Sequence, residues 1–224
     1  MDNNAKVSAS SLRLREPVWT LAEKNPNEHV YVDKGGDVVG IEFRTEETVF
    51  KVDFNDLAGL RMNIRTGFGG AGLISADVEE FGSEADGSKI KGVVIITKLP
   101  QIPAGMSYNG LIFFPFKEFS YSLYMRFEET GVTGAREAAV LDPLIGSGEV
   151  KLVVGAAGAV IEGFDEDLYQ PTLRGPLVRN RAEALEYDEK FPEHPLSKLR
   201  ACLRSVRENL VFEQAVASAS QENL

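Results

Sequence analysis

The chain has 224 residues, 43% of them hydrophobic, which is enough to bury the core of one domain. Its formal charge of −10, from 24 basic and 34 acidic residues, repels polyanions and excludes nucleic acid as an expected partner. The longest apolar runs, such as "GVVIIT" and "GLIFFPF", fall far short of the ~18 residues a spanning helix needs, so no membrane partner is expected either.

Positions 1–16 are polar and poor in bulky residues and are expected to form a flexible lead, with a single domain over 17–213 that starts near Pro17, Val18 and Trp19. "HVYVDKGGDVVGIEFR" places two β-rich runs around Asp33–Asp37, whose glycines suit a tight hairpin. "TVFKVDF" (48–54) continues the strand pattern, with Val49, Lys51 and Asp53 on one side and Phe50, Val52 and Phe54 on the other. In "TGFGGAG" (66–72), Gly67, Gly69 and Gly72 match the spacing of a dinucleotide-binding loop. That loop must lie between a strand and a helix, whereas the following "LISADVEEF" alternates like a strand, so a plain glycine turn is expected and no cofactor.

"IKGVVIITKLP" (90–100) reads as a central strand buried on both faces and ended by Pro100 and Pro103. "FSYSLYMRFEE" (119–129) alternates most clearly: Phe119, Tyr121, Leu123, Met125 and Phe127 face the core, and Ser120, Ser122, Tyr124 and Arg126 face water or a ligand. Next, Thr133 is expected to cap a helix beginning near Gly134, with Glu137 in its first turn and Pro143 stopping it. The glycine-rich stretch 146–178 reads as an insertion of loops around one short strand near Val150–Val154. The last helix starts at Pro195, and its stripe is Leu196, Leu199, Leu203, Val206 and Leu210, flanked by Arg200, Arg204 and Arg207. Residues 214–224 lose the pattern and are expected to fray. Runs of strands with few helices between them predict an α+β fold with a mostly antiparallel sheet and a C-terminal amphipathic helix packed on it.

Catalytic motifs are absent from the sequence. No G-x-S-x-G elbow occurs, and His29 and His194 are the only histidines. His194, between Glu193 and Pro195 at a helix start, is expected to cap or pack, and Cys202, beside the apolar stripe, to be a buried inert thiol. A zinc cage of Cys and His ligands is excluded on count, while a metal held by carboxylates stays open without support from the sequence. A single cysteine and a polar first segment fit a soluble protein of the cytoplasm. The segment to watch joins the alternating strand to a helix start. Tyr124, Arg126, Glu128, Thr130, Thr133, Arg136 and Glu137 are its candidate binding residues, suited to an anion or a carboxylate. The plain alternative there is an ordinary capped helix with Arg136 paired to a nearby acid.

"FSYSLYMRFEETGVTGAREAAVLD" and "YDEKFPEHPLSKLR" resemble an uncharacterised family of bacterial proteins, and the strand-then-helix endings are similar to the PsbP-like α/β/α fold. That resemblance implies an antiparallel sheet with helices on its faces, in proteins that are mostly binding or assembly factors. The function expected is therefore a non-catalytic binding or assembly module with a protein partner or a small-molecule ligand. The alternative is an enzyme with a carboxylate/arginine pocket near residues 128–137 acting on a small anionic or polar substrate. A homo-oligomer held by the alternating strand or the last helix is a third reading.

Overall fold

A computed structural model describes residues 7–15, 18–45, 52–67, 71–82, 87, 89–151, 153–154, 160–162, 178–219 and 221. The strands are β1 (Leu12–Leu14), β2 (Thr20–Lys24), β3 (Glu28–Val32), β4 (Val38–Arg44), β5 (Gly72–Gly82), β6 (Lys89–Pro100), β7 (Met106–Pro115), β8 (Ser120–Glu128), β9 (Val153–Val154), β10 (Val160–Glu162) and β11 (Leu210–Phe212). The helices are α1 (Leu57–Gly67), α2 (Ala135–Ser147), α3 (Pro195–Asn209) and α4 (Gln214–Ala217).

Seven strands form one sheet in the order β2-β3-β4-β8-β7-β6-β5, every neighbour antiparallel, which gives the expected α+β architecture. Alternation along the strands gives the sheet two apolar faces. On one, Ile41, Tyr121, Leu123, Met125, Ile112 and Phe114 pack with Leu196, Leu199, Leu203 and Val206 of α3. On the other, Val93, Ile95, Phe113 and Ala76 pack with Leu60 and Ile64 of α1. Gly110 lets α3 settle onto the sheet, since an added Cβ would lie 2.7 Å from Leu199 Cδ1.

The hairpin at Asp33–Asp37 forms as expected. Asp33 Oδ1 accepts the amides of Gly35 (2.7 Å) and Asp37 (2.9 Å), and Gly36 takes φ 85°. β6 is interior, paired on both edges, and β5 occupies the stretch after the glycine turn. That turn follows a helix and precedes a strand, the reverse of the order a dinucleotide loop uses. Its residues 68–70 lie outside the described residues, as do 48–51 of the expected third strand. Within that stretch, Val52 to Phe54 form no strand: Val52 is buried, and the chain turns there into α1.

Six expectations are corrected. The lead is ordered over 7–15, where β1 pairs with β11 and Leu12 is fully buried. Ser120, at the start of β8, is 2% exposed and so is buried, not solvent-facing. Gly134 at φ 72° occupies the cap of α2, so Thr133 does not cap, and the helix runs through Pro143 to Ser147, burying Val140 and Leu141. Leu210 leaves the α3 stripe to open β11, where it pairs with Leu14. Residues 214–217 form α4 with Val216 fully buried, and Gln221 exchanges two 2.7 Å hydrogen bonds with the Lys91 backbone. Most of the 146–178 stretch lies outside the described residues. Within it β9 and β10 pair antiparallel.

Candidate functional site

β8 ends at Glu128, and the next residue is held in place by backbone amides. Glu129 Oε2 accepts the Met106 amide at 2.8 Å, and Glu129 Oε1 accepts the Gly134 amide at 2.9 Å. The left-handed backbone at Gly134 belongs to this tight turn, and a β-carbon is disfavoured there. Two residues into α2, Glu137 sits in the first turn, where the helix dipole favours an acid. Its Oε1 lies 3.5 Å from the Tyr108 hydroxyl, and its Oε2 is buried with no hydrogen-bond partner.

His194 comes from the opposite side, at the N-cap of α3. Its Nδ1 accepts the Leu196 amide at 3.2 Å, and its ring stands edge-on to Tyr108 with centroids 5.3 Å apart. Because Nδ1 accepts, the proton of the neutral ring belongs on Nε2. Nε2 lies 3.7 Å from Glu129 Oε1 and 3.9 Å from Glu137 Oε1, too far for hydrogen bonds, and it has no partner. The His194 and Glu129 side chains are 8% and 7% exposed.

Burial, reinforced by the Arg136 charge, pushes the His194 pKa down to about 4, so the imidazole is neutral at pH 7. Burial raises the Glu137 carboxyl, helped by the charges of Glu129 and Glu183. Tyr108 is pushed far above its ordinary range by burial and by the carboxylates of Glu183, Glu137 and Glu129, and stays a protonated donor.

Beside this cluster a cavity of about 810 Å³ opens between the end of β8 and the start of α3, within the size range of small-molecule sites. Phe127, Val132, Phe191 and Pro192 supply apolar wall, and Glu129 and His194 line it too, with the His194 Nε2 buried just behind the surface. Most charged residues on its rim already have partners: Arg126 pairs with Glu128 at 2.5 Å and Lys198 with Glu193 at 3.3 Å.

The candidate residues from the sequence divide accordingly. Arg126, Glu128, Thr130 and Arg136 border the cavity, while Glu137 lies behind it and contributes through the cluster. Thr133 packs its methyl group toward Gly105. Tyr124 lies over Gly40 and donates to Glu28 across the sheet, away from the cavity. Arg136 is the largest departure, because its guanidinium turns inward. It donates to Ala182 O (2.5 Å), Ser197 Oγ (2.8 Å), Ala184 O (3.0 Å) and Asp188 Oδ1 (3.1 Å). This arginine is a structural tie between α2, α3 and the segment 182–188. Arg200 joins it on Asp188 at 2.9 Å.

Glu129 and the inward-facing nitrogen of His194 were missed in the sequence. The adjacent pair Glu128-Glu129 reads as solvated surface, and only the backbone turn that follows draws Glu129 inward. The capping role of His194 was legible, and the direction of its second nitrogen was not. Together Glu129, Glu137 and His194 place one ligand atom each within 4.8 Å of one another, a geometry that could hold a metal ion.

No helix among the described residues is long and apolar enough to cross a membrane. No protein-family model and no curated protein matches the chain. Among solved structures, the chain is similar to a protein from Bacteroides thetaiotaomicron VPI-5482 at 8% identity and TM-score 0.35, over 56% of this chain and 41% of that one. It is also similar to the Saccharomyces cerevisiae Ran-binding protein Mog1p at 12% identity and TM-score 0.36, over 59% of this chain and 77% of that one. The chain thus spans under half of the first of these proteins, and neither likeness bears on what the cavity holds.

Proposed function

We propose that this protein binds a small polar molecule in the cavity between β8 and α3. The apolar part of that molecule rests on Phe127, Val132 and Phe191, and its polar end meets Glu129 and His194. The observation that carries this reading is the buried, unpartnered His194 Nε2 beside an open cavity. Leaving such a group unsatisfied costs about 1–3 kcal/mol, and a ligand would relieve that.

The test is a thermal-shift screen of amino acids, hydroxy acids, sugars and nucleotides, run on the wild type and on Val132→Trp. Val132 is exposed on the cavity wall, so tryptophan there obstructs the space without disturbing the core. At 100 times its Kd a ligand stabilises the native state by about 2.7 kcal/mol, a shift of several degrees. The expected result is a compound that shifts the wild type and leaves Val132→Trp unmoved. Flat curves across the panel, or equal shifts in both proteins, would remove the cavity as the site.

A further inference from the structure

We propose that Glu129, Glu137 and His194 form a binding site for one divalent transition-metal ion, with zinc as the reference ion. The proposal rests on the preceding reading for the cavity and adds what meets the ligand's polar end. Two carboxylate oxygens and one imidazole nitrogen are a donor set that suits such ions, and the nitrogen favours them over magnesium or calcium.

In a tetrahedral zinc site with bonds of ~2.0–2.2 Å, ligand atoms stand roughly 3.3 Å apart. Nε2 lies 3.7 and 3.9 Å from its two carboxylate oxygens, so those two contacts need shorten by only about half an ångström, and all three atoms already lie within 4.8 Å of one another. The surroundings are those of a prepared site. Backbone amides hold both Glu129 oxygens yet leave each a lone pair, and the Tyr108 hydroxyl stands near Glu137 Oε1. With three protein ligands, a fourth position faces the cavity bordered by Glu129 and His194, where a ligand oxygen or a water completes the shell.

One interaction must change. Nδ1 now accepts the Leu196 amide, so the ring proton sits on Nε2, and a metal on Nε2 requires that proton on Nδ1. Binding therefore switches the tautomer and releases the helix cap, which gives the site a signature no surface-bound ion would show.

The experiment titrates Zn²⁺ alone into the chelator-treated full chain by calorimetry, with Mg²⁺ as comparison, and follows imidazole nitrogens by long-range ¹⁵N NMR. The chain has only two histidines, so the spectrum is simple to assign. The expected result is one Zn²⁺ per chain, with the His194 proton moving from Nε2 to Nδ1. Affinity should fall at least about tenfold in Glu137→Gln and in His194→Asn. Asparagine remains a good N-cap, so the second variant keeps the helix start while removing the ligand. Absence of stoichiometric binding, equal affinity in the variants, or an Nε2 still protonated in the zinc-bound protein would each overturn the proposal. Running the compound screen in chelator and in zinc separates the two ideas. Shifts equal in both, without zinc binding, sink the metal site alone, whereas no shifts in either sink the cavity reading.

Discussion

The two nitrogens of His194 face different demands, and its low pKa makes this visible as pH dependence. An unfolded histidine takes up a proton near 6.5, but the folded ring resists until about 4. The unfolded state thus binds more protons between these values, so this contribution is full above about pH 6.5 and is lost as pH falls toward 4. Glu137 acts in the opposite sense: burial raises its carboxyl, which stays protonated longer in the folded state, so its share is present at low pH and declines as pH rises through its raised pKa. Comparing urea unfolding at pH 7.5 and 4.5, the wild type should lose on the order of 2 kcal/mol more than His194→Asn. His29 is lowered as well, but it is present in both proteins and cancels. An identical acid loss in the two proteins would mean that the ring already ionises freely in the fold. At this scale the sequence was a partial guide. "HP" at a helix start announces a cap, but a side chain has two ends, and what its far end meets is set by residues distant in the chain. Arg136 shows the same limit: its spacing announces an arginine in a first turn, and only packing shows that it points inward.

At the scale of elements, alternation made β5 and β8 legible, a continuous apolar run made β6 legible, and β-rich runs around a glycine turn made β3 and β4 legible, because a sheet with buried faces imposes its pattern directly on the residues. Helices were read unevenly: α3 begins at Pro195 as expected, whereas α1 was missed. α1 carries Leu57, Leu60 and Ile64 at helical spacing, and Asp56 accepts the Gly59 amide at its start. Gly59 and Gly67 weaken its local propensity, so packing against Val93 and Ile95 is what sustains it. α2 overrides a stronger signal. Pro143 lacks the amide that would bond to the Ala139 carbonyl, yet both residues are exposed, so water satisfies that carbonyl and the helix continues. Replacing the proline with alanine restores the bond and removes the ring clash. Pro143→Ala should raise stability by roughly 1–3 kcal/mol in chemical denaturation, and a loss would show that the proline is needed for burying Val140 and Leu141.

For the whole molecule, the order β2-β3-β4-β8-β7-β6-β5 was not legible, since the β4–β8 neighbourhood depends on the sheet closing over a long stretch of chain. Nor was the pairing that fixes residues 178–188. Lys98 on β6 and Glu183 meet at 2.6 Å, both 1% exposed, and Lys98 also donates to Val178 O at 3.0 Å. The segment they hold accepts Arg136 and leads into the cavity wall at Lys190 and Phe191. Lys98→Met leaves Glu183 buried without its cation and should cost about 3–5 kcal/mol, whereas Lys98→Met with Glu183→Leu should recover much of it. Equal losses in the single and double variants, measured by urea unfolding, would show that the pair is not coupled. The pairing of β1 with β11 sets the order in which the protein can be made. On the ribosome, Leu12 and Leu14 emerge early and stay without their partner until Leu210–Phe212 has left the exit tunnel. The sheet can begin to assemble first, and this clasp, joining segments far apart in sequence, must wait for the later of the two.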